Sequence, residues 1–245
     1  MTSALRLGTW LSLGSPAITE LAALCGFDWV LLDLEHGSAS EATLPDQLRA
    51  LRGSGTHGIV RVGAPHADLI ARVLDWGASG IMVPHVNSAA EAEAIVQAAH
   101  YPPRGRRGFS RTVRAHDYGL RVPESTPAPL LIAQIETREA VNEVPSIARV
   151  DGIGVLFVGP ADLQHDLTHR NPCSAEDFEA FLSRVVAAAR AVGKAAGILV
   201  RDPSELPHRL TQGFTHIAVQ SDLALIRDAF RTIVQTNKDI TRHEN

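Results

Sequence analysis

Short apolar runs and amphipathic stretches alternate eight times along the 245 residues of the chain. The runs from Asp28 to Leu34 and from Gly152 to Phe157 are nearly continuous, which is typical of strands buried on both faces of a parallel sheet. Eight strand–helix units in a chain of this length match a (β/α)8 TIM barrel. We therefore predict a single TIM-barrel domain over residues 1–245. The predicted strands cover residues 5–13, 28–34, 59–62, 80–85, 129–136, 153–158, 195–200 and 216–219.

A doubly wound open sheet is the alternative fold, but no Gly-x-Gly-x-x-Gly follows an early strand, so its dinucleotide-binding form lacks support. Residues 101–128 are rich in Pro, Gly and Arg and predict an irregular insert. The polar tail from Asn237 is expected to fray. Helices are predicted at about 15–26, 40–52, 66–77, 88–100, 138–149, 175–192, 203–212 and 223–235.

Composition excludes several classes of function. The net charge of −4 does not favour a nucleic-acid partner. No apolar run reaches the roughly 18 residues of a membrane span, and the first residues lack a signal-peptide pattern. The two cysteines, Cys25 and Cys173, form neither a disulfide framework nor a zinc motif. These features predict a cytoplasmic protein with reduced thiols and no membrane partner.

Two acidic residues follow neighbouring predicted strands. Glu136 ends the fifth strand, and Asp162 follows the sixth after Gly-Pro-Ala. If these strands are parallel neighbours, their ends lie about 5 Å apart, so both carboxylates could bind one divalent cation. Isolated acids are more often surface residues, but the barrel and the flanking residues favour the cation here. Oxygen ligands favour Mg²⁺ or Mn²⁺.

Further polar residues occupy the ends of other predicted strands, where the active site of a TIM barrel lies. The second strand ends with Asp33, Glu35 and His36. The other residues of this kind are Arg61, Pro84, His85, Gln134, Gln220 and Asp222.

Five motifs follow one another along the chain: Asp33–Gly37, Val60-Arg61, Tyr101–Gly108, Gln134–Ala140 and Gly159–Leu163. They resemble the HpcH/HpaI aldolase family, in particular its metal-dependent pyruvate aldolases, and the resemblance extends over nearly the whole chain. The resemblance implies a class II aldolase that reversibly cleaves a 4-hydroxy-2-oxo acid to pyruvate and an aldehyde through a pyruvate enolate on the metal. The alternatives are an oxaloacetate decarboxylase using the same site and a non-catalytic sugar-acid-binding relative. Candidate substrates are 4-hydroxy-2-oxoheptanedioate and 2-keto-3-deoxy sugar acids.

The resemblance also implies a role for individual residues. Glu136 and Asp162 would bind Mg²⁺ or Mn²⁺, with Co²⁺ as a further possibility, and the amides of Ala161 and Asp162 would bind the pyruvate carboxylate. Arg61 would donate to the keto or enolate oxygen, and His36 would transfer protons. The remaining implied site residues are Asp75, which would orient His36, and Gln134, Trp10 and Leu199, which would line the substrate pocket.

The family further implies a hexamer, a trimer of dimers in which the last helix packs on a neighbouring barrel. It also implies that residues 109–128 shape the pocket for the aldehyde. The sequence departs from the family pattern at Leu34 and Gly37-Ser38, beside His36. His85, His165 and His169 have no motif support and are interpreted as surface residues or as residues that contact the site residues without touching the substrate. Arg104, Arg106 and Arg107 are interpreted as solvated or subunit-bridging, or else as ligands of a distal substrate acid or a phosphate.

Overall fold

The computed structural model describes residues 6–121, 127–170 and 175–243. Within these residues, eight parallel strands close into a barrel in chain order, with the eighth paired to the first. The predicted TIM barrel is confirmed, and the open sheet is excluded. The strands are β1 (Arg6–Leu11), β2 (Trp29–Asp33), β3 (His57–Arg61), β4 (Gly80–Val83), β5 (Leu130–Ile135), β6 (Ile153–Val158), β7 (Ala195–Val200) and β8 (His216–Ser221).

Helices surround the barrel at most of the predicted positions, although α2 is shorter than expected and the predicted helix at 203–212 begins with a 3₁₀ turn. The helix α6 was not predicted, because its sequence is polar and only Leu163 and Leu167 are buried. The helices are α1 (Pro16–Leu24), α2 (Leu44–Ala50), α3 (Ala67–Asp75), α4 (Ala89–Ala99), α5 (Arg138–Arg149), α6 (Pro160–Arg170), α7 (Ala175–Ala191), α8 (Leu206–Gln212) and α9 (Asp222–His243).

Large side chains fill the barrel interior. Phe157 lies at its centre, with its ring centroid 5.9 Å from that of Trp10 and 6.1 Å from that of Trp29. Gly197 on β7 makes room for this ring, because a Cβ atom there would lie 2.4 Å from Phe157. A second, larger apolar cluster lies between the strands and the helices. Successive residues of a strand alternate between the two clusters, as Leu31 and Leu32 do.

The insert between α4 and β5 folds over the amino-terminal end of the barrel. Its residues Tyr101, Arg107 and His116 line a cavity of about 920 Å³ together with residues at the strand starts, such as Trp29 and His216. The described part of the insert is irregular, as predicted, apart from a 3₁₀ helix. Residues 122–126 of the segment predicted to shape the aldehyde pocket lie outside the described residues. The described part of the insert lies at the end of the barrel opposite Glu136, so that part does not shape an aldehyde pocket within its own chain.

Helix α9 runs to His243, beyond the predicted end near residue 235. The prediction of a frayed tail from Asn237 is therefore wrong as far as His243. Its first turns contact β1 and β8, but Phe230 is 64% exposed and Ile233 67% exposed. Apolar side chains on α1 and α8, Leu24 and Leu210 among them, are also exposed. Among the described residues, no helix is long and apolar enough to cross a membrane.

Candidate active site

The acidic residues predicted from the strand ends converge at the carboxyl-terminal end of the barrel. Strands β5 and β6 are hydrogen-bonded neighbours with Ile135 opposite Val158, so the predicted adjacency of their ends is confirmed. Glu136 follows β5 directly and is buried, whereas Asp162 lies exposed in the first turn of α6. The site therefore has one buried carboxylate, Glu136, and one exposed carboxylate, Asp162.

Glu136 accepts hydrogen bonds from two donors. Gln134 Nε2 lies 2.5 Å from its Oε2, and the backbone N–H of His85 donates to its Oε1 at 2.7 Å. Burial raises the pKa of Glu136; the His85 amide and ring oppose this, while the charges of Asp162 and Glu35 raise it further. A divalent cation would lower the cost of keeping a buried carboxylate ionised beside two other acids.

Gly159 has no side chain and leaves space for a ligand to approach Glu136 closely. A Cβ atom on Gly159 would lie 2.5 Å from Glu136 Oε2 and 2.8 Å from Gln134 Nε2. Gln134 Oε1 is buried and has no hydrogen-bond partner among the described residues, and an unsatisfied buried acceptor is costly. Carboxylate and amide oxygens are hard ligands that fit Mg²⁺ or Mn²⁺. The residues present thus fit the implied metal. In the described ranges, however, no three His, Cys, Asp or Glu side chains already stand together as a metal site.

Ala161 and Asp162 lie at the start of a helix and not in the turn assumed from the sequence. The first intrahelical hydrogen bond of α6 runs from the Leu163 amide to the Gly159 carbonyl at 2.9 Å. The amides of Ala161 and Asp162 precede it, so they have no carbonyl within the helix to bond. Free amides at the positive end of a helix form a binding site for a carboxylate.

Arg61 is 5% exposed, and two carboxylates, those of Asp33 and Glu35, fix its guanidinium. Its Nε and Nη2 donate to both oxygens of Asp33 at 3.0 and 2.8 Å, and its Nη1 lies 2.9 Å from Glu35 Oε2. The guanidinium stacks 4.8 Å from the centre of the Trp10 ring. Nη1 and Nη2 keep N–H groups for a ligand, because a guanidinium has five donors.

Asp33 is the partner that holds this arrangement. Burial raises the pKa of its carboxyl, but the hydrogen bonds and charge of Arg61, the Glu35 amide and the Trp10 indole outweigh burial and lower the pKa overall. Asp33 therefore stays ionised at neutral pH. Its Oδ1 also accepts from the His36 amide at 3.3 Å, so one carboxylate orients both Arg61 and the backbone that carries His36.

His36 lies at the mouth of the barrel, with its side chain 66% exposed and Nε2 3.8 Å from Glu35 Oε1. The next residue, Gly37, is one of the departures from the family pattern, and its surroundings leave no room for a side chain. A Cβ atom on Gly37 would lie 2.4 Å from the carbonyl oxygen of Asp33 and 2.9 Å from that of Ser12. The imidazole is thus accessible to substrate while its backbone is tightly packed.

Asp75 does not join these residues within one chain. It ends α3, whose carboxyl-terminal end lies at the amino-terminal end of the barrel, and its Oδ1 is 2.5 Å from Arg107 Nη2. Its predicted contact with His36 is therefore absent from the single chain. Arg107 is buried and stacks on Tyr101, while Arg104 pairs with Asp151, so neither reaches the acids of the site in its own chain.

Trp10 and Leu199 face the interior of the barrel, as a lining role requires. The Trp10 indole donates to Asp33 Oδ2 at 3.2 Å, and Leu199 packs against the interior cluster. The sequence analysis gave His85 no direct role, but it contacts Glu136 through both its amide and its ring. Its position at the end of the fourth strand was the only signal for it. Asp222 has a bracing role and accepts from the amides of Ser12 and Leu13.

Comparison with known proteins adds three similarities. The chain matches the model of the HpcH/HpaI aldolase/citrate lyase family over residues 6–229. A 5-keto-4-deoxy-D-glucarate aldolase of Salmonella gallinarum (strain 287/91 / NCTC 13346) is 37% identical over 237 residues, covering 95% of this chain and 92% of the relative. The crystal structure of an HpcH/HpaI aldolase/citrate lyase family protein from Burkholderia cenocepacia J2315 superposes with a TM-score of 0.90 at 33% identity, covering 96% and 95% of the two chains.

A more distant structure shares the fold. It is the citrate lyase beta subunit from M. tuberculosis, complexed with oxaloacetate and magnesium. Its TM-score is 0.60 at 22% identity, and the match covers 89% of this chain and 92% of the other.

The Arg61→Met substitution tests the Asp33–Arg61 pair. It leaves a buried carboxylate without its partner, so we expect the free energy of unfolding at pH 7 to fall by about 3–5 kcal/mol. Without Arg61, burial raises the Asp33 pKa, so the variant regains stability as the pH falls and Asp33 is protonated. The wild-type protein keeps the contribution of the pair until the pH falls below the unfolded pKa of about 3.9. Urea unfolding at pH 7 and pH 5 should therefore show a smaller deficit at pH 5.

The matched control is Arg72→Met, because Arg72 pairs with Glu41 at an exposed position. That change should cost less than about 1 kcal/mol. Equal losses in the two variants, or a deficit of Arg61→Met that does not change with pH, would contradict the role assigned to the buried pair.

Proposed function

Because the chain belongs to the HpcH/HpaI aldolase/citrate lyase family and is a lyase, we propose that it is a divalent-metal-dependent aldolase. Its substrate is a 4-hydroxy-2-oxo acid, which it reversibly cleaves to pyruvate and an aldehyde. The observation that carries this proposal is the buried Glu136 carboxylate. The charge of Asp162 acts on it, and the absence of a side chain on Gly159 leaves space for a ligand beside it. These features support a cation at the ends of β5 and β6.

Glu136 and Asp162 are the residues that would hold the metal, and hard oxygen donors favour Mg²⁺ or Mn²⁺, with Co²⁺ as a third candidate. The magnesium in the structure of the distant citrate lyase beta subunit supports a divalent cation. When bound, the metal supplies Lewis acidity to the keto oxygen of the substrate.

The substrate carboxylate binds at the amino terminus of α6. Ala161 and Asp162 offer amides without helical partners, and the helix dipole favours an anion there. Gln134 adds a buried amide beside the same site. Trp10 and Leu199 form the apolar wall on the side of the barrel interior. This arrangement fixes the 2-oxo acid end of the substrate and leaves its C4 end toward the mouth.

Arg61 stabilises the charge that develops in the reaction. Its free N–H groups donate to the keto oxygen, which becomes an enolate oxygen as the C3–C4 bond breaks. Since Asp33 and Glu35 already fix the guanidinium, little reorganisation is needed when the charge forms. This preorganisation is the contribution of the buried ion pairs to catalysis.

His36 is the residue assigned to proton transfer at the mouth. In the cleavage direction it accepts the proton of the C4 hydroxyl, directly or through a water molecule. The C4 oxygen then forms the aldehyde carbonyl, and the electron pair of the C3–C4 bond moves into the enolate. Protonation of C3 gives pyruvate. Addition of pyruvate to an aldehyde is the same sequence reversed.

A six-carbon sugar diacid is the preferred candidate substrate, because relatives 37% identical to this chain are named 5-keto-4-deoxy-D-glucarate aldolases. The 4-hydroxy-2-oxoheptanedioate and other 2-keto-3-deoxy sugar acids remain in the panel to be tested. Oxaloacetate is included because its decarboxylation also forms pyruvate enolate.

The proposal is tested by measuring pyruvate release from this panel with Mn²⁺ or Mg²⁺ and with EDTA. We expect release from at least one hydroxy acid, its loss with EDTA, and a decrease of about 10²-fold or more in Glu136→Gln. Pyruvate from oxaloacetate alone would indicate the decarboxylase. No pyruvate from any substrate would contradict the aldolase and favour a binding protein.

We also propose that the chain is a homohexamer in which α9 packs on a neighbouring barrel. Leu223, Ile226, Phe230, Ile233 and Val234 recur at helical spacing, and all but Ile226, which is partly buried, are about half or more exposed. The exposed apolar side chains of α1 and α8 are the candidates for the surface that receives α9. Burial of both surfaces between subunits removes apolar area from water.

Size-exclusion chromatography with light scattering tests this assembly. The wild-type protein should have about six times the 26.3 kDa mass of the chain, and Phe230→Glu combined with Ile233→Glu should reduce this mass. Thr232→Glu, on the opposite face of the helix, is the control and should leave it unchanged. A monomeric wild-type protein, or a double variant that keeps the full mass, would contradict the exchange of α9.

A further inference from the structure

His85 contacts Glu136 with two nitrogen atoms. Its backbone N–H donates to Oε1 at 2.7 Å, and its ring Nδ1 lies 3.1 Å from the same oxygen. The backbone of His85 adopts the left-handed conformation, with φ of 53°, which is uncommon outside glycine. This conformation turns the amide and the ring toward one carboxylate, and uncommon backbone conformations of this kind cluster at functional sites.

We propose that His85 Nδ1 is a ligand of the divalent metal beside Glu136. The inference rests on the proposed metal-dependent function. In an octahedral site with ligands at about 2.1 Å, neighbouring ligand atoms are separated by about 3.0 Å. The Nδ1–Oε1 distance of 3.1 Å matches the edge of such an octahedron, so two adjacent positions are already set.

The other ring nitrogen faces a carboxylate. His85 Nε2 lies 3.8 Å from Glu35 Oε1, and Glu35 Oε2 lies 2.9 Å from Arg61 Nη1. Histidine ligands commonly direct their second N–H to a carboxylate, which fixes the tautomer and the ring orientation. With Nδ1 on the metal, the ring proton is on Nε2 and points toward Glu35. Glu35 thereby links the metal ligand to the buried guanidinium.

Accessibility agrees with this role. The His85 side chain is 58% exposed, so its ring is open to a cation that enters at the mouth of the barrel. Asp162 is exposed as well. Glu136 and His85 would hold the metal, and Asp162 would supply a third donor.

A nitrogen ligand changes the choice of metal. Mg²⁺ prefers oxygen ligands, whereas an imidazole nitrogen is a good ligand for transition-metal ions, so a His85 ligand raises the affinity for transition metals and contributes little for Mg²⁺. The chain is therefore expected to bind Mn²⁺ and Co²⁺ more tightly than Mg²⁺, and this preference should depend on His85.

Pulsed EPR of Mn²⁺ bound to the full-length protein tests the proposal. The wild-type protein should show the coupling of a directly bound ¹⁴N nucleus, and histidine labelled with ¹⁵N should change that coupling. His85→Asn should abolish it, since asparagine tolerates the left-handed conformation but lacks the ring. His85→Gly is a second variant suited to the same backbone. His36→Asn is the matched control and should retain the coupling.

Metal affinities give an independent measurement. In His85→Asn the affinity for Mn²⁺ should fall roughly tenfold or more, while the affinity for Mg²⁺ should change by less than about threefold. Bound Mn²⁺ without nitrogen coupling in the wild-type protein, or coupling that persists in His85→Asn and His85→Gly, would overturn the assignment.

The two proposals fail in different ways. If Mn²⁺ lacks a nitrogen ligand but metal-dependent pyruvate release depends on Glu136, only the role of His85 is overturned. If nitrogen coupling is present but no substrate yields pyruvate, the ligand is supported and the aldolase is overturned. A wild-type protein that binds neither Mn²⁺ nor Mg²⁺ would overturn both.

Discussion

The burial of the Glu136 charge is the constraint on which this site depends. A carboxylate in the interior is costly unless it is paired, and Glu136 has two other acids nearby and no arginine or lysine contact among its described partners. Polar N–H groups from Gln134 and His85 reduce this cost without supplying a permanent positive charge. The barrel thus keeps a negative centre where a cation can bind, at the expense of stability without the cation.

At the ends of β2 and β3 the buried charges are paired instead. Asp33 and Arg61 lie opposite each other in the β2–β3 register, and their bidentate pair neutralises both charges within the barrel. Breaking such a pair is costly, so the guanidinium has a fixed place. The charges at the ends of β2 and β3 are therefore paired and fixed in place. The charge of Glu136, at the end of β5, has no such partner and can bind a cation. Together they place a fixed positive group beside a site that attracts a metal.

The sequence predicted the fold well, because the barrel strands are continuous apolar runs such as Val30–Leu32 and carry a direct signal of burial. It also predicted the residues at the strand ends, since the ends of parallel strands meet at one end of a barrel. It did not predict α6, whose buried face consists of two leucines within a polar segment, so Pro160-Ala161-Asp162 resembled a turn. The predicted end of α9 was also wrong. The last part of this helix is polar and does not pack on its own barrel, so the sequence there lacks the apolar pattern of a packed helix.

Two further points depend on information that a sequence pattern does not carry. A motif correspondence linked Asp75 to His36, and within one chain the two residues lie at opposite ends of the barrel. His85 had no motif, and its role depends on a left-handed backbone and on the position of Glu136 on the next strand. Pairing across strands and backbone conformation decide both cases, and neither is visible in local spacing.

The central claim is that this site stabilises the enolate of pyruvate, whatever the aldehyde. Exchange of the methyl protons of pyruvate with D₂O, followed by proton NMR, tests it without the natural substrate. The account predicts that the wild-type protein with Mn²⁺ or Mg²⁺ catalyses the loss of the methyl signal, and that EDTA or the Arg61→Met change abolishes it. No exchange above the rate of metal alone, with the metal bound to the protein, would contradict the account.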